Sequence, residues 1–256
     1  MVNLQSLKTP NSRIEVVKPG QYCLILPPET KKKYQLSQLD DYHALSRKNF
    51  LWTPPVYLSL TARVSHKEIQ GTWGFGFWND PFGLSLGISG GISRLPTLPE
   101  ASWYFYASSQ NYLSFRNGLP GNGFLAASYC SYSISPILIT LASPWLILAL
   151  WSQTAKILSR IFKKLIKFDS TSITVDHTQW HQYRIEWQTD QVIYSIDNHL
   201  VFKTNVSPKP PLGAVIWIDN QYASFRENDR LRFGTLPNHQ SIWLEVKDIY
   251  ISSVHC

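Results

Sequence analysis

The chain has 256 residues, 44% of them hydrophobic and 14% aromatic, which is bulk enough for one large core. Its net charge of +7 is uneven: Lys156, Arg160, Lys163, Lys164 and Lys167 crowd into residues 135–168, leaving about +2 elsewhere. That distribution argues against a nucleic-acid-binding surface spread over the molecule. The three cysteines, Cys23, Cys130 and Cys256, are far apart and form no CxxC, so neither a disulfide framework nor a zinc site is indicated. The opening MVNLQSLKTPNSRIEVV lacks the apolar core of a signal peptide, and a cytoplasmic start is expected.

In chain order, SRIEVVKPGQYCLILPP reads as two strands around a turn at Pro19-Gly20, and KKKYQLSQLDDY as a strand ending in acids. PPVYLSLTARVSH alternates strictly: Val56, Leu58, Leu60, Ala62 and Val64 share one face, and Tyr57, Ser59, Thr61 and Arg63 the other. GTWGFGFWNDP, ASWYFYASS and GFLAASYCSYSI follow as strands. Beyond residue 168, SITVDH, HQYRIEWQTD, QVIYSIDNHLVFKT, GAVIWIDNQ and SIWLEVKDIYIS continue the pattern. The unit from Tyr183 to Thr204 reads as a three-stranded meander with turns at Thr189-Asp190 and Asp197-Asn198. About a dozen strands without alternating helices predict an all-β, antiparallel sandwich or jelly roll.

HQYRIEWQTDQVIYSIDNHLVFKT resembles the W/H-x-Y-x-I-x-W-x-x-D-x-I-x-(F/Y)-x-(V/I)-D-G-x-x-V segment of the concanavalin A-like lectins and glucanases, most nearly glycoside hydrolase family 16. WLEVKDIYI is similar to that family's closing strand, and LSLTARVSHKEIQGTWGFGFWND to the paired strands before its active-site strand. The resemblance covers about residues 50–130 and 170–254. It implies a concanavalin A-like jelly roll over residues 1–256, one sandwich domain with a helical insertion at 135–168. It also implies a concave face able to hold a glycan.

Family-16 enzymes carry two catalytic glutamates on one strand in a Glu-x-Asp-x-(x)-Glu pattern, one as nucleophile and one as acid, with carboxyls about 5 Å apart. The matching segment here, PEASWYFYASS, offers Glu100 and then Ser102, Tyr104 and Tyr106. The other close acid pairs, Asp40-Asp41, Glu227/Asp229 and Glu245/Asp248, do not restore the motif. No catalytic residue is assigned, and non-hydrolytic binding is the expected activity.

Aromatic residues supply the candidate ligand surface. Trp73, Phe75 and Phe77 alternate with Gly74 and Gly76, glycines that leave room for a ligand or a backbone. Trp78 and Asp80 close that strand, Trp103 lies on the next, and Trp217 precedes Asp219. If these strands pave the concave face, with Arg63 beside them, then Arg63, Trp73, Phe77, Trp78, Asp80, Trp103, Trp217 and Asp219 line the site. Indoles stack on the C–H face of a sugar and polar groups bond its hydroxyls; the same cleft suits a lipid-like or isoprenoid amphiphile. The alternatives are a divergent carbohydrate-active hydrolase of the family-16 type and an enzyme acting on a lipid-like substrate. His177 and His181 flank a turn rather than a helix, so no metal or other cofactor is expected.

Residues 135–168 break the β pattern. Ile134 to Trp151 is 18 residues without a charge, interrupted by Pro136 and Pro144. After it, Lys156, Arg160, Lys163, Lys164 and Lys167 share one face of an amphipathic helix, opposite Ile157, Leu158, Ile161, Phe162, Leu165 and Ile166. The strands on either side belong to one sandwich, so both ends of the insert lie on one side of any membrane. The expectation is monotopic, peripheral docking on an anionic surface through Trp145, Leu146, Trp151 and the five basic residues, with packing on the sandwich and a true span as the alternatives.

Overall fold

The computed structural model describes residues 3–31, 33–81, 94–114, 118–147, 160–161, 163–224 and 232–253, with the backbone alone for 142–147. Two seven-stranded sheets stack face to face. One carries, in spatial order, β1 (Gln5–Lys8), β4 (Leu36–Asp40), β13 (Gly213–Asp219), β6 (Thr72–Trp78), β7 (Ala101–Ala107), β8 (Gly123–Ser131) and β9 (Ile166–Ser172). The other carries β12 (His199–Thr204), β11 (Val192–Ile196), β10 (His181–Trp187), β5 (Val56–Val64), β16 (Ile242–Ser253), β3 (Gln21–Leu26) and β2 (Arg13–Lys18). A small ribbon joins β14 (Gln221–Ser224) to β15 (Arg232–Thr235). Every ladder of the two large sheets is antiparallel.

The period-2 alternation read from the sequence sets which residues face inward. Val56, Leu58, Leu60, Ala62 and Val64 of β5 are each at most 1% exposed. Opposite them Trp73, Phe75 and Phe77 of β6 and Tyr104 and Tyr106 of β7 enter the same core, where Phe77 meets Trp187 at 5.6 Å and Phe75 meets Tyr183 at 5.1 Å between ring centroids. The β11–β12 hairpin turns at Asp197 (φ 50°) and Asn198 (φ 63°), where both central residues are left-handed, as the right-handed twist of a two-residue hairpin requires.

The strands depart from the sequence reading in three places. β1, β14 and β15 are only four residues long, too short for alternation to show. The strand expected at SITVDH lies earlier, as β9, because Ile166, Phe168 and Ser170 alternate there and are buried on the outer face beside Tyr129 and Ala127. The insertion is correspondingly shorter than 135–168. It connects β8 to β9 through residues 132–165, and Lys167 stands exposed on a strand opposite Cys130.

The two ends of the insertion are held together. Ser131 is opposite Ile166, and the Tyr132 N–H donates to the Leu165 carbonyl (2.8 Å). Within it, α1 (Pro136–Ile147) falls in the uncharged apolar part of the insertion, and 160–161 and 163–165 are helical. Of the stretch read as the amphipathic helix, residues 156–159 and 162 lie outside the described residues, and Ile166 and Lys167 belong to β9 instead. Among the described residues, no helix is long and apolar enough to cross a membrane.

Candidate functional site: a tryptophan floor on the outer face

The outer face of the first sheet is built row by row from the strand register. One row runs Gln38, Trp217, Gly74, Phe105, and the next runs Asp40, Val215, Gly76, Trp103. Glycine stands on β6 between large neighbours in both. A Cβ at Gly74 would lie 2.7 Å from Cη2 of Trp217 and 2.4 Å from the Tyr104 carbonyl; one at Gly76 would lie 2.6 Å from the Trp103 Cβ. Of the two uses the sequence allowed, the glycines admit the backbone of β7, and at Gly74 also the Trp217 indole, rather than a ligand.

The result is a contiguous aromatic floor. Trp78 and Trp217 stack at 6.4 Å with planes 8° apart, and Trp103 lies 5.4 Å from Trp217 and 5.9 Å from Trp78. Phe105 adds a fourth ring, 5.5 Å from Trp103 and 5.8 Å from Trp217. Trp217 and Phe105 are buried, whereas Trp78 and Trp103 are partly exposed.

Polar groups fix the floor from both ends. The Trp217 Nε1–H donates to Thr72 Oγ1 (3.0 Å), and the Thr72 hydroxyl donates to Asp219 Oδ1 (2.7 Å). Burial pushes the Asp219 carboxyl up to about 7, against the lowering effect of the hydrogen bonds it accepts from Thr72 and Gln221. At the other end Trp78 Nε1–H donates to the Tyr42 hydroxyl (2.6 Å), which also receives Gln38 Nε2 (3.3 Å). Asp40 beside it accepts the backbone N–H groups of Tyr42 and His43 and the side chain of Gln38.

Two arginines strap the loops that wall this end. Arg94 bonds Asp80 Oδ2 at 2.7 Å and the carbonyls of Tyr42, His43 and Leu45. Arg47 bonds the carbonyls of Asn79, Asp80 and Leu95. Tyr42, Arg47 and Arg94 were missed by the sequence reading. Tyr42 and Arg94 sit in loops and Arg47 opens a three-residue 3-10 helix (Arg47–Asn49), where no periodicity points to a partner; the one local signal was the acid-rich end of the β4 segment.

Trp78, Trp103, Trp217, Asp80 and Asp219 thus come to one face. Three other expected residues do not. Trp73 and Phe77 are 1% and 0% exposed in the core between the sheets, because odd positions of β6 face inward. Arg63 is on the other sheet, where its guanidinium pairs with Glu245 (2.8 Å) and covers the ring of Trp180 at 4.6 Å. Of the insertion residues, Arg160, Lys164 and Lys167 are exposed, Lys163 is partly so, and Trp145 and Leu146 fall within α1. Trp151 and Lys156 lie outside the described residues.

The outer-face positions of β7 are Ala101, Trp103, Phe105 and Ala107, so this strand offers that face no carboxylate. Glu100 precedes it and is consumed structurally. Its oxygens accept the N–H groups of Ser131 (2.9 Å) and Lys209 (2.8 Å), and burial raises its carboxyl to about 7. Asp40 and Asp219 share the face but are four positions apart along paired strands, about 13 Å by strand rise. That is far beyond the roughly 5 Å of a retaining pair. Glu227 and Asp229 lie outside the described residues. Among the described residues no group of three or more His, Cys, Asp or Glu is placed to hold a metal ion.

No family model matches the chain, and no curated protein does. Among solved structures it is similar to a β-glucanase from Bacillus licheniformis, with a TM-score of 0.48 and 8% identity over 94% of this chain and 82% of that one. It is also similar to a legume lectin-like domain from Entamoeba histolytica (TM-score 0.48, 11% identity, 99% and 91% covered) and to a laminarinase from a Flavobacterium species (0.43, 10%, 94% and 82%). The chain's own strand pairing defines it as an antiparallel two-sheet jelly roll, the architecture that its sequence resemblance to the concanavalin A-like superfamily implies.

Proposed function

We propose that this chain binds a carbohydrate or an amphiphilic ligand on its tryptophan floor, without hydrolysing it, at a membrane surface. The observation that carries the ligand reading is the contact of three indoles on one outer sheet face, two of them partly exposed. Indole faces stack on the C–H face of a sugar ring, and the Asp80–Arg94 pair beside Trp78 supplies polar partners at the margin. Hydrolysis through two carboxylates on one strand has no residues to perform it on β7.

The membrane part rests on the insertion. Ile137, Leu138 and Leu141 of α1 are 61%, 60% and 69% exposed, and Arg160, Lys164 and Lys167 stand in water. Apolar side chains beside cations suit the boundary of an anionic bilayer, at about 1 kcal/mol per basic residue near the surface. The foot of the insertion also joins the floor: Ile134, Ile139 and Leu165 pack on the apolar cluster that Trp78 and Trp103 flank. An amphiphile seated on the indoles would meet this apolar margin, which supports that variant of the reading.

A glycan array probed with the wild-type chain and with Trp103→Ala tests the ligand part. Glycan binding that the variant loses is the expected result. A lipid overlay run alongside separates the amphiphile, and binding to neither would overturn the proposal.

A further inference from the structure

The tryptophan floor has a polar edge, which the strand register places beside the indoles. Gln38 stands on β4 directly opposite Trp217 on β13, and residues paired in that way share a sheet face. Tyr42 follows β4 and lays its ring over Gly213, where an added Cβ would meet Cγ of Tyr42 at 2.6 Å. Gln38 and Tyr42 are 7% and 2% exposed.

The two side chains hold each other in one orientation. Asp40 Oδ2, a carboxylate oxygen that can only accept, lies 2.7 Å from a terminal atom of Gln38. That atom is therefore the amide nitrogen Nε2, and Oε1 is directed away from Asp40. The N–H bonds of Nε2 go to Asp40 and to the Tyr42 hydroxyl (3.3 Å). The Tyr42 oxygen accepts a second bond from Trp78 Nε1–H (2.6 Å). Asp40 Oδ1 in turn accepts the backbone N–H groups of Tyr42 and His43 (3.0 and 2.8 Å), which fixes the start of the loop.

One donor and one acceptor are left side by side. The Tyr42 oxygen receives two bonds, both from groups that can only donate, so its own proton has no acceptor among the described residues. Gln38 Oε1 accepts nothing from those residues and keeps contact with solvent. Amide bond lengths hold Oε1 within about 2.5 Å of Nε2, so the two oxygens are at most about 6 Å apart. One hydroxyl oxygen, at about 2.5–3.0 Å from each, spans that gap. It donates to Gln38 Oε1 and accepts from Tyr42.

A sugar ring stacked on Trp78 directs its hydroxyls sideways, past the edge of the indole. Tyr42 stands at the Nε1 edge of that indole, within their reach. A hydrocarbon chain on the same indoles would cover the Tyr42 proton and the Gln38 carbonyl and offer them nothing, and a site left with unpaired polar groups rejects such a ligand. We infer that Gln38 and Tyr42 are specificity-determining residues of the floor, which together read one hydroxyl of a carbohydrate ring and discriminate against the chain of an amphiphile. Their role rests on the proposed use of the floor as the binding surface, and it narrows the ligand to the carbohydrate class.

The test is a titration of the ¹⁵N-labelled full chain with the methyl glycosides of glucose, galactose and mannose and with the monodeoxy forms of each, following the indole N–H signal of Trp78. Octanol is the hydrocarbon probe. The expected result is saturable binding of at least one parent sugar, with one of its deoxy forms binding about tenfold more weakly, the value of a lost hydrogen bond. In Tyr42→Phe the parent should weaken and its advantage over that deoxy form should shrink. A purely structural effect of the substitution would weaken both alike, and an undiminished advantage would overturn the inference. Equal affinity of the wild-type chain for all the deoxy forms, or octanol binding as tightly as the sugar, would also overturn it. Gln38→Met gives the same comparison if Tyr42→Phe fails to fold, and the deoxy series on the wild-type chain needs no variant. These outcomes leave the floor itself standing if Trp103→Ala abolishes sugar binding. No saturable shift with any parent sugar would remove the floor's carbohydrate reading and the role of Gln38 and Tyr42 with it.

Discussion

Trp217 and Gly74 stand opposite each other on β13 and β6, and the indole of Trp217 occupies the space that a side chain at 74 would need. The floor's geometry therefore depends on a residue with no side chain. Gly74→Ala should destabilise the fold by about 1–3 kcal/mol, the usual cost of overpacking. It should also tilt Trp217 off Trp78. Denaturant unfolding gives the first quantity and near-ultraviolet circular dichroism the second. An unchanged tryptophan spectrum would mean that the ring does not need the gap.

Two tryptophans that look alike in the sequence should behave oppositely. Trp73 is a core residue at 1% exposure, and Trp73→Ala should cost about 3–5 kcal/mol. Trp103 is partly exposed on the outer face, and Trp103→Ala should cost less stability while removing ligand binding. Melting temperatures and array binding measured on both variants check the pair.

Arg94 should be the most sensitive residue of the loop wall. Its side chain is 7% exposed and pairs with Asp80 while capping three carbonyls. Arg94→Met removes a nearly buried cation from the Asp80 carboxylate and the donors to three carbonyls, and should cost about 3–5 kcal/mol. Hydrogen exchange would show the loss first in residues 41–50 and 79–81.

Stability should fall as pH rises from about 5 to 7.5. Burial raises the folded-state carboxyls of Asp41 to about 6 and of Glu100 and Asp219 to about 7, above their ordinary values of 3.8, 4.5 and 3.8. Between those limits the folded chain binds more protons than the unfolded one. The stabilisation is full below the ordinary values and is lost as pH climbs through 6 and 7. Asp219→Asn retains an acceptor for Thr72 and should make the melting temperature against pH shallower. An equal slope in the variant would remove Asp219 from the account.

The fold was legible in the sequence because alternation is a local signal. The β5 face from Val56 to Val64 and the Asp197-Asn198 turn follow directly from residue order. Which face of β6 enters the core was not legible. Trp73, Phe75 and Phe77 read equally well as a platform or as core, and only the register with β13 and β7 makes Trp78 the outward ring. Arg63 was misplaced for a related reason, since alternation cannot say which sheet a strand joins. The boundary of the insertion slipped because Ile166 and Phe168 satisfy a helical and a strand period at once.

Calorimetric titration of the chain with the strongest glycan from the array, run alongside an assay for new reducing ends, tests the central claim most directly. The account predicts saturable binding, weakened about tenfold or more by Trp78→Ala and by Trp103→Ala, with no reducing ends released. Release of reducing ends, or binding undiminished when both tryptophans are replaced, would contradict it.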